Sequence, residues 1–194
     1  MSEIQVQLQE WMGSDKSIAD AAWTSSTSTE GMAYRTSADV VRVVNMLADQ
    51  GHSTPFESVV LRFWLRIPIA TDRQIMTHRL QSSNGLSGRY RSVPSDFHEM
   101  PDDVLAIARK AGLGDSVPEE YAMHCTAANS WYEETLENAK EQRKNGLISS
   151  DEYKRLREFV RGALPQHNYT ERTTVMNLRS WANFLRLRLA PSAQ

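Results

Sequence analysis

The chain has 194 residues, 40% apolar and 24% charged, enough to bury a core of its own and consistent with a single domain over residues 1–194. Lys and Arg number 22 against 24 Asp and Glu, a net of -2, which argues against a general polyanion coat but leaves room for a confined anion site. The single cysteine, Cys125, excludes an internal disulfide or a cysteine-built zinc site, and no apolar run approaches the length of a membrane span.

The N-terminal MSEIQVQLQEW lacks the basic and apolar segments of a signal peptide, so a reducing, cytoplasmic setting is expected. The first clear element is a helix over 37–50: Ser37 can cap it, Val40, Val43, Val44 and Leu47 share a face, and Gly51 stops it. His52 to Pro55 reads as a turn. Residues 58–67 alternate as a strand, with Val59, Leu61, Phe63, Leu65 and Ile67 on one side and Pro68 at the end. Thr71-x-x-Gln74 resembles a capping box, so a helix is predicted from there to about Ser82. Asn84 to Pro94, rich in glycine and serine, is predicted as a loop.

Pro118 to Lys144 reads as a long helix with proline in its first turn and Gly146 beyond its end. Ser149-x-x-Glu152 is a capping box opening a further helix, which Pro165 stops. Tyr169 to Met176 favours a strand. Asn177 to Leu189 follows as a helix with Leu178, Trp181, Ala182 and Leu185 inward. Cys125, on the long helix, reads as a small buried apolar residue. Helices outweigh strands, but both are present, so the fold class is α/β (α+β).

The charges are unevenly placed. Between Arg73 and Ser95 there is no acid, yet Arg73, His78, Arg79, Arg89 and Arg91 lie there. After Glu171 there is none to the end, while Arg172, Arg179, Arg186 and Arg188 remain. Arginine binds phosphate through a planar two-pronged fork, so these windows suggest an anion site; a solvated basic face, or ion pairs to acids elsewhere, is the other reading. The hydroxyls and glycines of Ser82, Ser83, Asn84, Gly85, Ser87 and Gly88 suit an anion-binding turn. There is no P-loop and no GxGxxG. Nothing beside Ser87 reads as a relay, so Ser87 is a binding residue rather than a nucleophile.

Thr77-His78-Arg79, seven residues, then Ser87-Gly88-Arg89-Tyr90 resembles the RHRxxSxNExSxRY signature of the flavin-dependent thymidylate synthases. Further ordered matches run along the chain: SIADAAWTS at 17–25, His52-Ser53-Thr54-Pro55-Phe56-Glu57, Arg161 with Leu164-Pro165 and Tyr169-Thr170, and Asn177-x-Arg179 with Asn183-Phe184 and Arg188. The resemblance implies that family's mixed or antiparallel sheet with long helices. It also implies reductive methylation of dUMP to dTMP with FAD as cofactor and with methylenetetrahydrofolate and NADPH as co-substrates. A homotetramer with active sites shared between subunits is implied too; a membrane or nucleic-acid partner is not expected.

Roles follow from the resemblance position by position. Gln74, Ser87, Gly88, Arg89 and Arg161 would hold dUMP. Arg188 would face the pyrimidine and favour ionisation at N3. Thr54, His78, Arg79, Asn177, Arg179 and Asn183 would bind FAD. Arg188, Tyr90 and His52 are the candidates closest to the chemistry. His52 has a turn-capping alternative, Glu57 an ion-pairing one and Tyr90 a packing one. No metal ligand set is expected. Two signature positions depart from the family: Thr77 replaces its first arginine and Gly85 its glutamate. The departures point to a second reading, a relative transferring another one-carbon group such as hydroxymethyl to a pyrimidine deoxynucleotide. A third is a catalytically silent nucleotide-binding protein.

Overall fold

A computed structural model of the chain describes residues 3–190. Eight α-helices and four strands occur among them, in the order β1 (Gln5–Met12), α1 (Asp15–Trp23), α2 (Thr29–Ala33), α3 (Ser37–Asp49), β2 (Val60–Pro68), α4 (Ile69–Ile75), β3 (Ser82–Gly85), α5 (Asp102–Lys110), α6 (Val117–Lys144), α7 (Ser150–Val160), β4 (Tyr169–Asn177) and α8 (Leu178–Arg188). The strands form one antiparallel sheet in the order β1-β2-β4-β3, so the α/β expectation holds. The chain divides into two compact units. Among the described residues, one comprises 3–5, 66–75 and 85–171; the other comprises 6–65, 76–84 and 172–190.

Several boundaries are local physics. α3 is capped by Thr36, not Ser37: the Thr36 hydroxyl accepts from the Asp39 N–H, and the Asp39 carboxylate accepts from the Thr36 N–H. At its far end Gly51 turns left-handed (φ 71°), its N–H bonding the Ala48 carbonyl and the His52 N–H that of Leu47. These bonds satisfy two of the orphan carbonyls, and the positive φ explains the glycine. Ser149 and Glu152 form the expected reciprocal cap of α7.

Other boundaries correct the sequence expectation. α4 begins at Ile69 and ends at Ile75, so Thr71 lies inside it. No side-chain cap is needed, because the Ile69 and Ala70 N–H groups donate to the carbonyls of Asn168 and Gln166 (2.9 and 2.8 Å). Ser82–Gly85, placed in a helix end and loop by the sequence, is a strand beside β4 despite its low intrinsic β preference. In α8, Leu178 packs on the core and Trp181 and Phe184 are half-buried, whereas Ala182 and Leu185 are exposed. The inward stripe advances by threes from Leu178 and leaves Leu185 outside.

The first unit is held by Val93, Tyr132, Leu136, Val160 and Leu164, against which Ile69 and Leu86 pack. Buried Asn168 donates to the Asn129 Oδ1 (2.7 Å) and the Pro94 carbonyl (3.1 Å), while Asn129 donates to the Ser95 carbonyl (2.6 Å). These bonds pin the end of the 86–95 loop to α6. Cys125 is buried on α6, as expected. The second unit is held by Ile18, Leu47 and Val59, with Phe56, Leu61 and Leu178 around them.

Candidate functional site

The first unit contains five of the six residues expected on the nucleotide, Gln74, Ser87, Gly88, Arg89 and Arg161; the sixth, Arg188, belongs to the second unit. A tight turn carries three of them: the Tyr90 and Arg91 N–H groups both donate to the Ser87 carbonyl (3.0 and 3.1 Å), and the Arg89 N–H lies 3.4 Å from the Ser87 hydroxyl. Arg161, at the start of the short 3₁₀ turn after α7, runs directly past Gly88. A Cβ on Gly88 would lie 3.0 Å from Arg161 Cδ and 3.3 Å from its guanidinium. A side chain at this position would therefore crowd Arg161, which would have to shift by a few tenths of an ångström. Arg89 and Arg161 both stand 3.9 Å from the Glu158 carboxylate. Two cations thus share one acid at long range, a weak neutralisation that leaves both able to take a phosphate.

Arg91 is committed elsewhere, paired to both carboxylate oxygens of Glu171 at 2.9 and 3.0 Å. Tyr90 is 85% exposed in the single chain and packs against no core there. Gln74 lies on the last turn of α4 in the same unit, exposed.

The second unit contains a cavity of about 850 Å³, within the usual range for ligand sites. His78, Arg79, Arg179 and Asn183 line it, together with apolar Leu47, Phe56 and Met176. Five segments supply these groups: the end of α3, the 3₁₀ turn at Thr54–Ser58, the segment before β3, the end of β4, and α8. Arg179 is ion-paired to Glu57, so Glu57 does take the pairing role. Arg186, which sequence reasoning left without a role, also lines the cavity and donates to Asn183 Oδ1 (3.1 Å). Its signal was the second acid-free window. Among the described residues no carboxylate lines the cavity, so three arginines give it a positive wall. The Ser180 hydroxyl on the same wall is buried without a hydrogen-bond partner, an orphan that a polar ligand atom can satisfy.

Asn177 does not line the cavity. Its side chain caps α8 by accepting from the Ser180 N–H (2.9 Å) and so fixes the turn that presents Arg179 and Ser180. Thr54 opens a 3₁₀ turn whose neighbours Ser53 and Phe56 reach the cavity. The His52 backbone closes α3, and its side chain is exposed. Arg188 is close to His78: its Nε and terminal nitrogen lie 3.4 and 3.3 Å from His78 Nε2. Burial, and then the Arg188 charge, hold the His78 imidazole below the usual histidine range. A guanidinium cannot accept, so Nε2 is the acceptor and the ring proton sits on Nδ1. Among the described residues no cluster of His, Cys, Asp or Glu could hold a metal, and no helix is long and apolar enough to cross a membrane.

Comparison with known proteins gives concordant matches. The pattern of the family described as "Thymidylate synthase complementing protein" covers residues 7–194. A flavin-dependent thymidylate synthase of Kosmotoga olearia is 30% identical over 189 residues, covering 97% of this chain and 78% of the relative. One from Thermus thermophilus is 31% identical over 192 residues, covering 97% of this chain and 65% of the relative. The chain thus spans just under two thirds of that second relative. A crystal structure of a UMP/dUMP methylase from Streptomyces cacaoi, bound with 5-Br dUMP, superposes with a TM-score of 0.67 at 24% identity. It covers 97% of this chain and 79% of that one, and at this identity the likeness speaks for the fold.

Proposed function

This chain belongs to the thymidylate synthase complementing protein family, and on that premise we propose that it is a flavin-dependent thymidylate synthase. The reaction converts dUMP to dTMP, with methylenetetrahydrofolate supplying the carbon and NADPH the two electrons that reduce it to a methyl group. The observation that carries the reading is the cavity: four of the residues expected on FAD by resemblance, His78, Arg79, Arg179 and Asn183, line one space beside an orphaned Ser180 hydroxyl. Its chemistry suits a flavin dinucleotide, with arginines for the anionic pyrophosphate and Leu47, Phe56 and Met176 for the ring. Bound flavin supplies the hydride-transfer chemistry; the protein's part is binding, orientation and charge.

On the nucleotide side, Arg89 and Arg161 take the phosphate while Ser87, Gly88 and Gln74 shape its seat. Arg188 stabilises negative charge developing at the pyrimidine N3. Tyr90 and His52 are both exposed in the single chain and act as pocket residues once the enzyme assembles. Residues 1–194 act as one domain, in the cytoplasm, and the working form is a homotetramer with active sites shared between subunits.

The test is product analysis. Protein loaded with FAD is incubated with dUMP, methylenetetrahydrofolate and NADPH, and the nucleotide is identified by mass spectrometry. dTMP is the expected product. A hydroxymethyl nucleotide without dTMP overturns the reading in favour of the one-carbon alternative that Thr77 and Gly85 motivate. Protein that takes up no flavin and converts nothing is instead a silent nucleotide binder.

A further inference from the structure

We infer that His78 is a positioning residue for Arg188: its Nε2 lone pair fixes the orientation in which the guanidinium meets the pyrimidine. The inference rests on the role proposed above for Arg188 and gives His78 a task beyond the wall of the flavin cavity. Two Arg188 nitrogens, Nε and one terminal nitrogen, lie 3.4 and 3.3 Å from this single acceptor. Two donors of one planar group converging on one atom restrict rotation about the end of the side chain, which a contact through one donor does not.

The imidazole is itself held. Its ring meets the edge of Phe184 (centroids 4.9 Å, 76°), Phe184 meets Trp181 (5.7 Å, 90°), and Trp181 meets Phe63 on β2 (4.9 Å, 71°). The His78 backbone carbonyl accepts from Gln81 Nε2 at 2.6 Å. Phe184 and Arg188 are four residues apart on α8, so one face of that helix presents both the ring that steadies the imidazole and the cation it steadies. A column of aromatic edges thus runs from the sheet to the guanidinium.

The same setting keeps the imidazole neutral. Arg188 faces it from α8; Arg79 follows it in its own segment; Arg179, paired to Glu57, and Arg186 share its cavity. Burial opposes its protonation, and Arg188, the charge in contact with it, acts in the same direction. Protonation turns Nε2 into a donor and drives Arg188 away.

The test uses the flavin-loaded full chain and has two arms. In the first, His78 is titrated by NMR in the wild type and in Arg188→Ala. A rise in its pKa on loss of Arg188 is expected, and an unchanged value overturns the contact. In the second, His78→Phe keeps a ring against Phe184 but deletes the acceptor, and Arg188→Ala and the double variant complete the cycle. With flavin occupancy matched by absorbance, His78→Phe is expected to lower kcat by about 100-fold, the cost of a misplaced group, and to lose the acid limb of the pH profile. His78→Gln, which offers an oxygen acceptor, is expected to recover part of the rate. The double variant is expected to be no slower than Arg188→Ala alone. Multiplying losses, or an unaltered kcat in His78→Phe, overturn the positioning role. If the wild type makes no dTMP, the proposed function fails and the NMR arm still decides the contact.

Discussion

At the scale of single residues, the sequence offered arginines without partners, and the structure supplied acids from far along the chain. Arg91 meets Glu171, 80 residues away, and Arg179 meets Glu57, 122 residues away. Among the described residues, the acid near Arg89 and Arg161 is a shared Glu158 at 3.9 Å, which separates phosphate candidates from structural ones. Two outcomes follow at this scale. Gly88→Ala places a methyl 3.0 Å from Arg161 Cδ, so the KM for dUMP should rise about 10-fold or more while the melting temperature stays near wild type; steady-state kinetics alongside thermal unfolding checks it. Glu57→Gln removes the partner of Arg179 and raises the positive potential of the cavity, so flavin should bind no more weakly than in the wild type. Weaker binding by absorbance titration would mean that the pair positions Arg179 rather than merely neutralising it.

At the scale of elements, what could be read was what neighbours in the chain settle. The cap of α7, the extent of β2 and the length of α6 all rest on residues within one or two turns of each other, and the cap of α3 lies one residue before the Ser37 that the sequence suggested. Ser149→Ala should therefore cost about 1 kcal/mol, measured by urea unfolding. Hydrogen bonds from Thr36 and Ser149 hold the Asp39 and Glu152 carboxyls below the ordinary carboxylate range. A depressed folded value means that this stabilisation is present above the unfolded pKa and lost as pH falls through the folded one. Unfolding midpoints compared at neutral pH and below pH 4 should show that loss for the wild type and less of it in a variant lacking both carboxyls. The elements misjudged, α4 and β3, owe their limits to partners elsewhere: carbonyls at 166 and 168 start α4, and β4 makes a strand of Ser82–Gly85.

At the scale of the whole molecule, each of the two compact units has its own core; the first holds the nucleotide candidates other than Arg188, and the second holds Arg188 with the flavin candidates. Leu136→Ala in the first core and Leu47→Ala in the second should each cost about 2–5 kcal/mol by denaturant unfolding, since both leave a cavity where a buried leucine stood. On the proposed reading, FAD at about 100 times its Kd should stabilise the chain by about 2.7 kcal/mol, read as a rise in melting temperature, because a ligand that binds only the folded state stabilises it. The sequence by itself determined the class of fold, the cap of α7, two of the four strands (β2 and β4), and the signature that marks the family, because these depend on residue type and short spacing. Only the tertiary structure decided which arginines are spent on acids, that His78, Arg79, Arg179, Arg186 and Asn183 face one cavity, and that Arg188 rests on His78. Those outcomes depend on contacts between groups up to 122 residues apart, whose meeting is fixed by packing and by the demand that buried polar atoms find partners, not by order along the chain.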